Sequence, residues 1–114
     1  MKNISPINLS LNRGLKIINK ELKTFPSLPG VYKMSNFNDK ALYIGKAKNL
    51  KNRVTNYTKI ENLPSRLVKM VSETTKVEII VTQTEVEALL LESNLIKKSL
   101  VILGKTSLNS ILHF

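Results

Sequence analysis

Leu11, Leu15, Ile18 and Leu22 recur at steps of four, three and four, which places apolar side chains along one face of a helix. Lys16, Lys20 and Lys23 lie off that stripe, Gly14 weakens it slightly, and Pro26 and Pro29 bracket its stop. From Gly30 the period shortens. Gly30-Val31-Tyr32-Lys33-Met34 and Ala41-Leu42-Tyr43-Ile44-Gly45 are short and rich in β-branched and aromatic residues. The turn-forming Ser35-Asn36-Phe37-Asn38-Asp39-Lys40 separates them, so the pattern predicts an antiparallel hairpin. Leu50 with Val54, and Arg53 with Tyr57, then stand at helical spacing. Pro64 opens a further helix with Leu67, Met70 and Val71 on one face. Val77-Glu78-Ile79-Ile80-Val81 predicts a third strand. Thr84-Glu85-Val86-Glu87 has the form of a capping box that starts a last helix running to about Lys98. The expected architecture is α+β, a three-stranded antiparallel sheet flanked by helices. Residues 1–13 read as a lead-in, 14–98 as the domain and 99–114 as a divergent tail.

One residue breaks the pattern of the last helix. At about 100° per residue, Glu87, Asn94 and Lys98 share the arc expected to face water. Glu92 instead has Ala88, Leu89, Leu95 and Ile96 one turn away on either side. A carboxylate among apolar neighbours calls for a cation or hydrogen-bond donors. Spacing alone leaves two readings open: an ion pair with a lysine or arginine of another element, and a metal ligand or catalytic acid.

Charge adds a partner to this picture. A chain of 114 residues is one domain. Its net charge is +10, and residues 30–76 alone hold ten basic against three acidic side chains. Such a surface is the footprint of a nucleic-acid partner, because each phosphate neutralised releases condensed counterions; the plain alternative is a solvated lysine-rich surface. The absence of cysteine excludes a disulfide frame and a cysteine-based zinc site, and it fits a reducing cytoplasm. No apolar run approaches the roughly 18 residues of a membrane span, and no signal-peptide pattern is visible, so a cytoplasmic protein without a membrane partner is expected.

Lys46, Lys48 and Lys51 directly follow the second predicted strand, and Arg53 and Tyr57 lie on the next helix. If that helix packs against the hairpin, Tyr32, Tyr43, Lys46, Arg53 and Tyr57 converge. Phenols beside cations suit a phosphate: the hydroxyl bonds or gives up its proton, and the cations hold developing charge. Each tyrosine is equally readable as a half-buried residue with its hydroxyl in water.

Gly30-Val31-Tyr32, ten intervening residues and Tyr43-Ile44-Gly45 resemble the GIY-YIG nuclease signature, with Val for Ile. Pro29-Gly30-Val31-Tyr32, Tyr43-Ile44-Gly45-Lys46-Ala47-Lys48-Asn49-Leu50 with Arg53, and Glu92-Ser93-Asn94-Leu95-Ile96-Lys97-Lys98 resemble more closely the N-terminal domain of the UvrC family. That family incises DNA in bacterial nucleotide excision repair, and the likeness covers residues 14–98. The resemblance implies a metal-dependent DNA endonuclease that hydrolyses a phosphodiester 3′ to a lesion. It implies one divalent cation, Mg²⁺ or Mn²⁺, with Glu92 as its only protein ligand. Tyr43 would take a proton from the attacking water, its phenolate favoured by Lys46, Arg53 and the ion. Tyr32 and Tyr57 would position water or phosphate, and Arg53 would hold the scissile phosphate. Lys46, Lys48, Lys51 and Arg53 are the expected DNA contacts, and DNA and, in full-length members, UvrB are the implied partners.

After Lys98 the pattern departs. The family's basic-Pro-x-Tyr-Asn segment gives way to Ser99-Leu100-Val101-Ile102-Leu103-Gly104, with Gly104 where the family carries asparagine. The UvrB-binding helical hairpin, the second nuclease domain and the helix-hairpin-helix repeats have no counterpart in the sequence. Two further readings therefore stand beside the first: a truncated, catalytically impaired nucleic-acid-binding remnant of UvrC, and a free-standing GIY-YIG nuclease.

Overall fold

The computed structural model describes residues 6–103, and side-chain burial for residues 8–98. The elements are α1 (Pro6–Leu22), β1 (Gly30–Ser35), β2 (Ala41–Ala47), α2 (Leu50–Thr55), α3 (Ser65–Glu73), β3 (Lys76–Val81) and α4 (Glu85–Leu103). Two 3₁₀ turns, Asn56–Thr58 and Ile60–Asn62, link α2 to α3. The strands form one antiparallel sheet in the order β2-β1-β3, so the expected α+β architecture is present, with β1 central and β2 at an edge.

The sheet is covered on both faces, which explains why β1 lacks the polar alternation of a one-sided strand. On one face Tyr32 and Met34 of β1 pack with Ile18 and Leu22 of α1, Leu50 and Val54 of α2, and Met70 and Val71 of α3. On the other, Val31 and Ile44 meet Ala88 and Ile96 of α4. Because α4 lies over β1 and β2, it leaves Ile80 of β3 48% exposed.

Local chemistry sets the boundaries. Asn36 Oδ1 accepts hydrogen bonds from the Asn38 and Lys40 backbone N–H groups at 2.9 and 3.0 Å, and Asp39 takes the left-handed conformation at φ 64°. This closes the hairpin. At α4, Thr84 Oγ1 accepts from the Glu87 N–H at 3.1 Å, while Glu87 Oε1 accepts from the Gln83 N–H at 2.8 Å. The capping box is thus reciprocal but reaches one residue further back than its usual form.

Three differences from the expected layout have physical reasons. α1 starts at Pro6, inside the stretch read as lead-in: proline suits a first helical turn, and Asn8 and Leu9 are exposed there, so no buried stripe marks that turn. Gly14, which costs the isolated helix stability, lets the backbones of α1 and α3 touch, since a Cβ would collide with the Val71 carbonyl oxygen. α4 continues past Lys98 to Leu103 because nothing in Ser99-Leu100-Val101-Ile102-Leu103 breaks a helix. The rest of the divergent tail, from Gly104, lies outside the described residues.

Candidate active site

Strand register brings the first two tyrosines together. Tyr32 stands opposite Gly45, and Met34 opposite Tyr43, so both phenols lie on the α1–α3 face of the sheet. Gly45 leaves room for the Tyr32 ring, since a Cβ there would stand 2.6 Å from the Tyr32 hydroxyl oxygen. Tyr57 arrives from the 3₁₀ turn that continues α2. Asn49 fixes the start of α2 by accepting from the Asn52 N–H at 3.0 Å, and the Leu50 N–H donates to the Leu28 carbonyl at 2.8 Å. These bonds hold α2 beside the beginning of β1.

All three tyrosines of the chain form one triangle. Ring centroids are 5.6 Å apart for Tyr32–Tyr43, 5.9 Å for Tyr32–Tyr57 and 6.2 Å for Tyr43–Tyr57, all edge to face. The Tyr32 and Tyr57 hydroxyls share a hydrogen bond of 2.7 Å, with the residues 1% and 5% exposed. Tyr43, on the edge strand, is half-buried.

Burial pushes all three phenols above their ordinary value near 10. Tyr32, enclosed most fully, moves furthest. For Tyr43 the neighbouring Tyr57 and the Glu92 charge add to burial, and its bond with Tyr32 opposes them. For Tyr57 the bonds with Tyr32 and Tyr43 and the Arg53 charge oppose burial without overcoming it.

Neither Lys46 nor Arg53, expected to favour a Tyr43 phenolate, is among the groups that shift Tyr43. Arg53 acts on Tyr57 instead. Lys46 projects to the α4 face with Val31 and Ile44, because alternate strand residues face opposite ways. Its Nζ lies 3.1 Å from Glu85 Oε2 at the start of α4.

Glu92 is half-buried on α4, and no ion pair or hydrogen bond engages its carboxylate among the described residues. The ion-pair reading therefore finds no partner there. Its charge contributes to the upward shift of Tyr43. Among the described residues no group of three or more His, Cys, Asp and Glu is disposed to hold a metal ion. A lone hard-oxygen ligand nevertheless fits Mg²⁺, which retains several waters and commonly takes one or two carboxylates.

Lys48, Lys51 and Arg53 are exposed. Lys48 and Arg53 line a cleft of about 390 Å³ with Asn49, Asn52 and Asn56. The Lys46–Glu85 pair and this asparagine row were not anticipated. The row's spacing on a short helix is the sequence signal that would have revealed it.

Comparison with known proteins gives a consistent result. Residues 28–100 match the UvrC-like GIY-YIG domain. UvrABC system protein C of Rhodospirillum rubrum is 54% identical over 86 residues, which is 75% of this chain and 14% of that protein. The Paramagnetospirillum magneticum protein of the same name is 51% identical over 87 residues, 76% of this chain and 14% of that one. The chain therefore spans a small part of these relatives' length. Among solved structures, the GIY-YIG N-terminal endonuclease domain of UvrC from Thermotoga maritima, bound to its catalytic magnesium, superimposes with a TM-score of 0.64 at 39% identity, covering 72% of this chain and 89% of that one.

Proposed function

Because the chain belongs to the UvrC-like GIY-YIG family, we propose that it is a DNA endonuclease domain of nucleotide excision repair that hydrolyses a phosphodiester 3′ to a lesion. The observation that carries this reading is the half-buried Glu92 carboxylate, unpaired among the described residues yet felt at Tyr43 beside two further phenols. Glu92 would hold one divalent cation: Mg²⁺, as in the Thermotoga domain, or Mn²⁺. When bound, such an ion supplies Lewis acidity at the phosphate and stabilises the leaving oxygen.

The remaining roles fall to the chain itself. Tyr43 Oη orients the attacking water and would take its proton with the bound cation's charge offsetting the burial that keeps the phenol neutral in the chain alone. Tyr32 and Tyr57, bonded to each other, fix the position of that phenol and of the phosphate. Arg53 donates in a fork to the phosphate oxygens, where negative charge grows. Lys46 joins it on leaving Glu85, and Lys48 and Lys51 follow the DNA backbone. UvrB would supply lesion location within a longer protein, and the cytoplasm is the compartment that bacterial DNA repair implies.

The test is nicking of a lesion-bearing duplex with and without UvrB, under Mg²⁺ and under chelator. Wild type should cut only with metal, and Glu92→Ala should lose cutting by at least 100-fold, in line with removal of a group stabilising transition-state charge. Full metal-dependent activity in Glu92→Ala would end the metal assignment. A second reading, a nucleic-acid binder that does not cut, is favoured by Gly104 at the family's asparagine position. It predicts salt-sensitive binding without nicking at any metal concentration.

A further inference from the structure

At the hairpin tip Phe37 is 83% exposed, in contrast with Phe25, which is buried in the core. The ring stands on a built turn. Asn36 Oδ1, just before it, accepts from the Asn38 and Lys40 N–H groups just after it, and Asp39 ties the turn to β3 through an ion pair with Lys76 at 2.9 Å. Phe37 borders a cleft of about 410 Å³ whose other walls include Arg13 and Ser10 of α1 and Lys69 and Glu73 of α3. Two cations against one carboxylate leave this lining positive, and neither Arg13 nor Lys69 has an ion pair among the described residues.

The cleft is distinct from the tyrosine site. None of the three tyrosines lines it, and it shares no wall with the cleft of Lys48 and Arg53. An aromatic face displayed on a fixed turn beside two cations is the arrangement that receives single-stranded nucleic acid. The base stacks on the ring regardless of sequence, and the cations hold the backbone. An acidic peptide would use the cations but gain nothing from a flat, exposed ring.

We propose that this cleft is a second nucleic-acid contact, in which an unpaired base stacks on Phe37 and the adjoining phosphate is held by Arg13 and Lys69. The inference rests on the reading that the chain acts on DNA. It adds a preference for strands with unpaired bases.

The test is equilibrium binding of the full chain, in chelator, to a labelled oligothymidine and to a blunt duplex of the same length. Phe37→Ala should weaken binding to the single strand about tenfold and to the duplex less than twofold, the size expected for loss of one stacked base. Phe37→Trp should restore it, and thermal unfolding should be unchanged because the ring is exposed. Arg13→Gln and Lys69→Gln should each lower the salt dependence by about one phosphate contact. Single-strand affinity within twofold of wild type in Phe37→Ala would overturn the inference, as would displacement of oligothymidine by polyglutamate at equal charge. A wild-type chain that binds neither DNA would instead defeat the underlying DNA reading.

Discussion

The Tyr32 and Tyr57 hydroxyls meet at 2.7 Å inside the protein, joining the central strand to the turn that follows α2 across 25 residues of chain. Tyr57→Phe removes this bond and leaves the Tyr32 hydroxyl with Tyr43 as its remaining partner. The loss should be on the order of 1 kcal/mol. A lower urea midpoint with an unchanged slope would show it.

The same cluster makes the fold sensitive to alkali. Each phenol ionises less readily in the folded chain than in the unfolded one. Their stabilisation is therefore complete below the ordinary phenol value near 10 and is lost as pH rises above it, since only the unfolded chain then releases its protons. The slope should approach about 1.4 kcal/mol per pH unit for each phenol that stays neutral in the fold. Urea midpoints on either side of that pH would measure it, and Tyr57→Phe should flatten the fall.

Gly45→Ala should damage the site through shape alone. The new methyl would stand 2.6 Å from the Tyr32 hydroxyl oxygen and 2.7 Å from its ring, and Tyr32 is enclosed by the core. The expected cost is about 1–3 kcal/mol, the usual range for overpacking. Calorimetry gives the stability change, and nicking under saturating metal should fall with it as the tyrosine triangle spreads.

Lys46 and Glu85 provide a test at the surface. The pair is more than a third exposed on the glutamate side, so its worth is small, about 0.2–1 kcal/mol. Glu85→Gln frees Lys46 for phosphate and should tighten DNA binding up to about fivefold at low salt. The gain should disappear as ionic strength rises. Equal affinities for the two proteins at low salt would mean that Lys46 does not reach the DNA.

The elements that announced themselves in the sequence are those with sharp local chemistry. Gly30 and Gly45 bound the hairpin, Pro64 precedes α3, and Thr84 with Glu87 caps α4, so period and punctuation agree. The convergence of Tyr32, Tyr43 and Tyr57 was legible once the hairpin was placed, because Tyr32 opposite Gly45 and Tyr43 opposite Met34 stand two positions apart in the ladder and so share a face. Glu92 was visible as an oddity of its helix. That no described side chain pairs with it required the folded chain. The partner of Lys46 lies 39 residues away, a distance no local pattern reaches. Phe37 was hidden for the opposite reason: inside a turn, an apolar residue looks like noise until its exposure is known.

β2 leaves one margin of the sheet without a neighbouring strand among the described residues. An open margin of this kind is also a template on which a second molecule can add its own strand and start an aggregate. Lys46 on β2 and Lys48 just beyond it would face their own counterparts in such an encounter. The positive charge proposed to meet phosphate at this margin would thereby also oppose the zipping together of copies of the protein there.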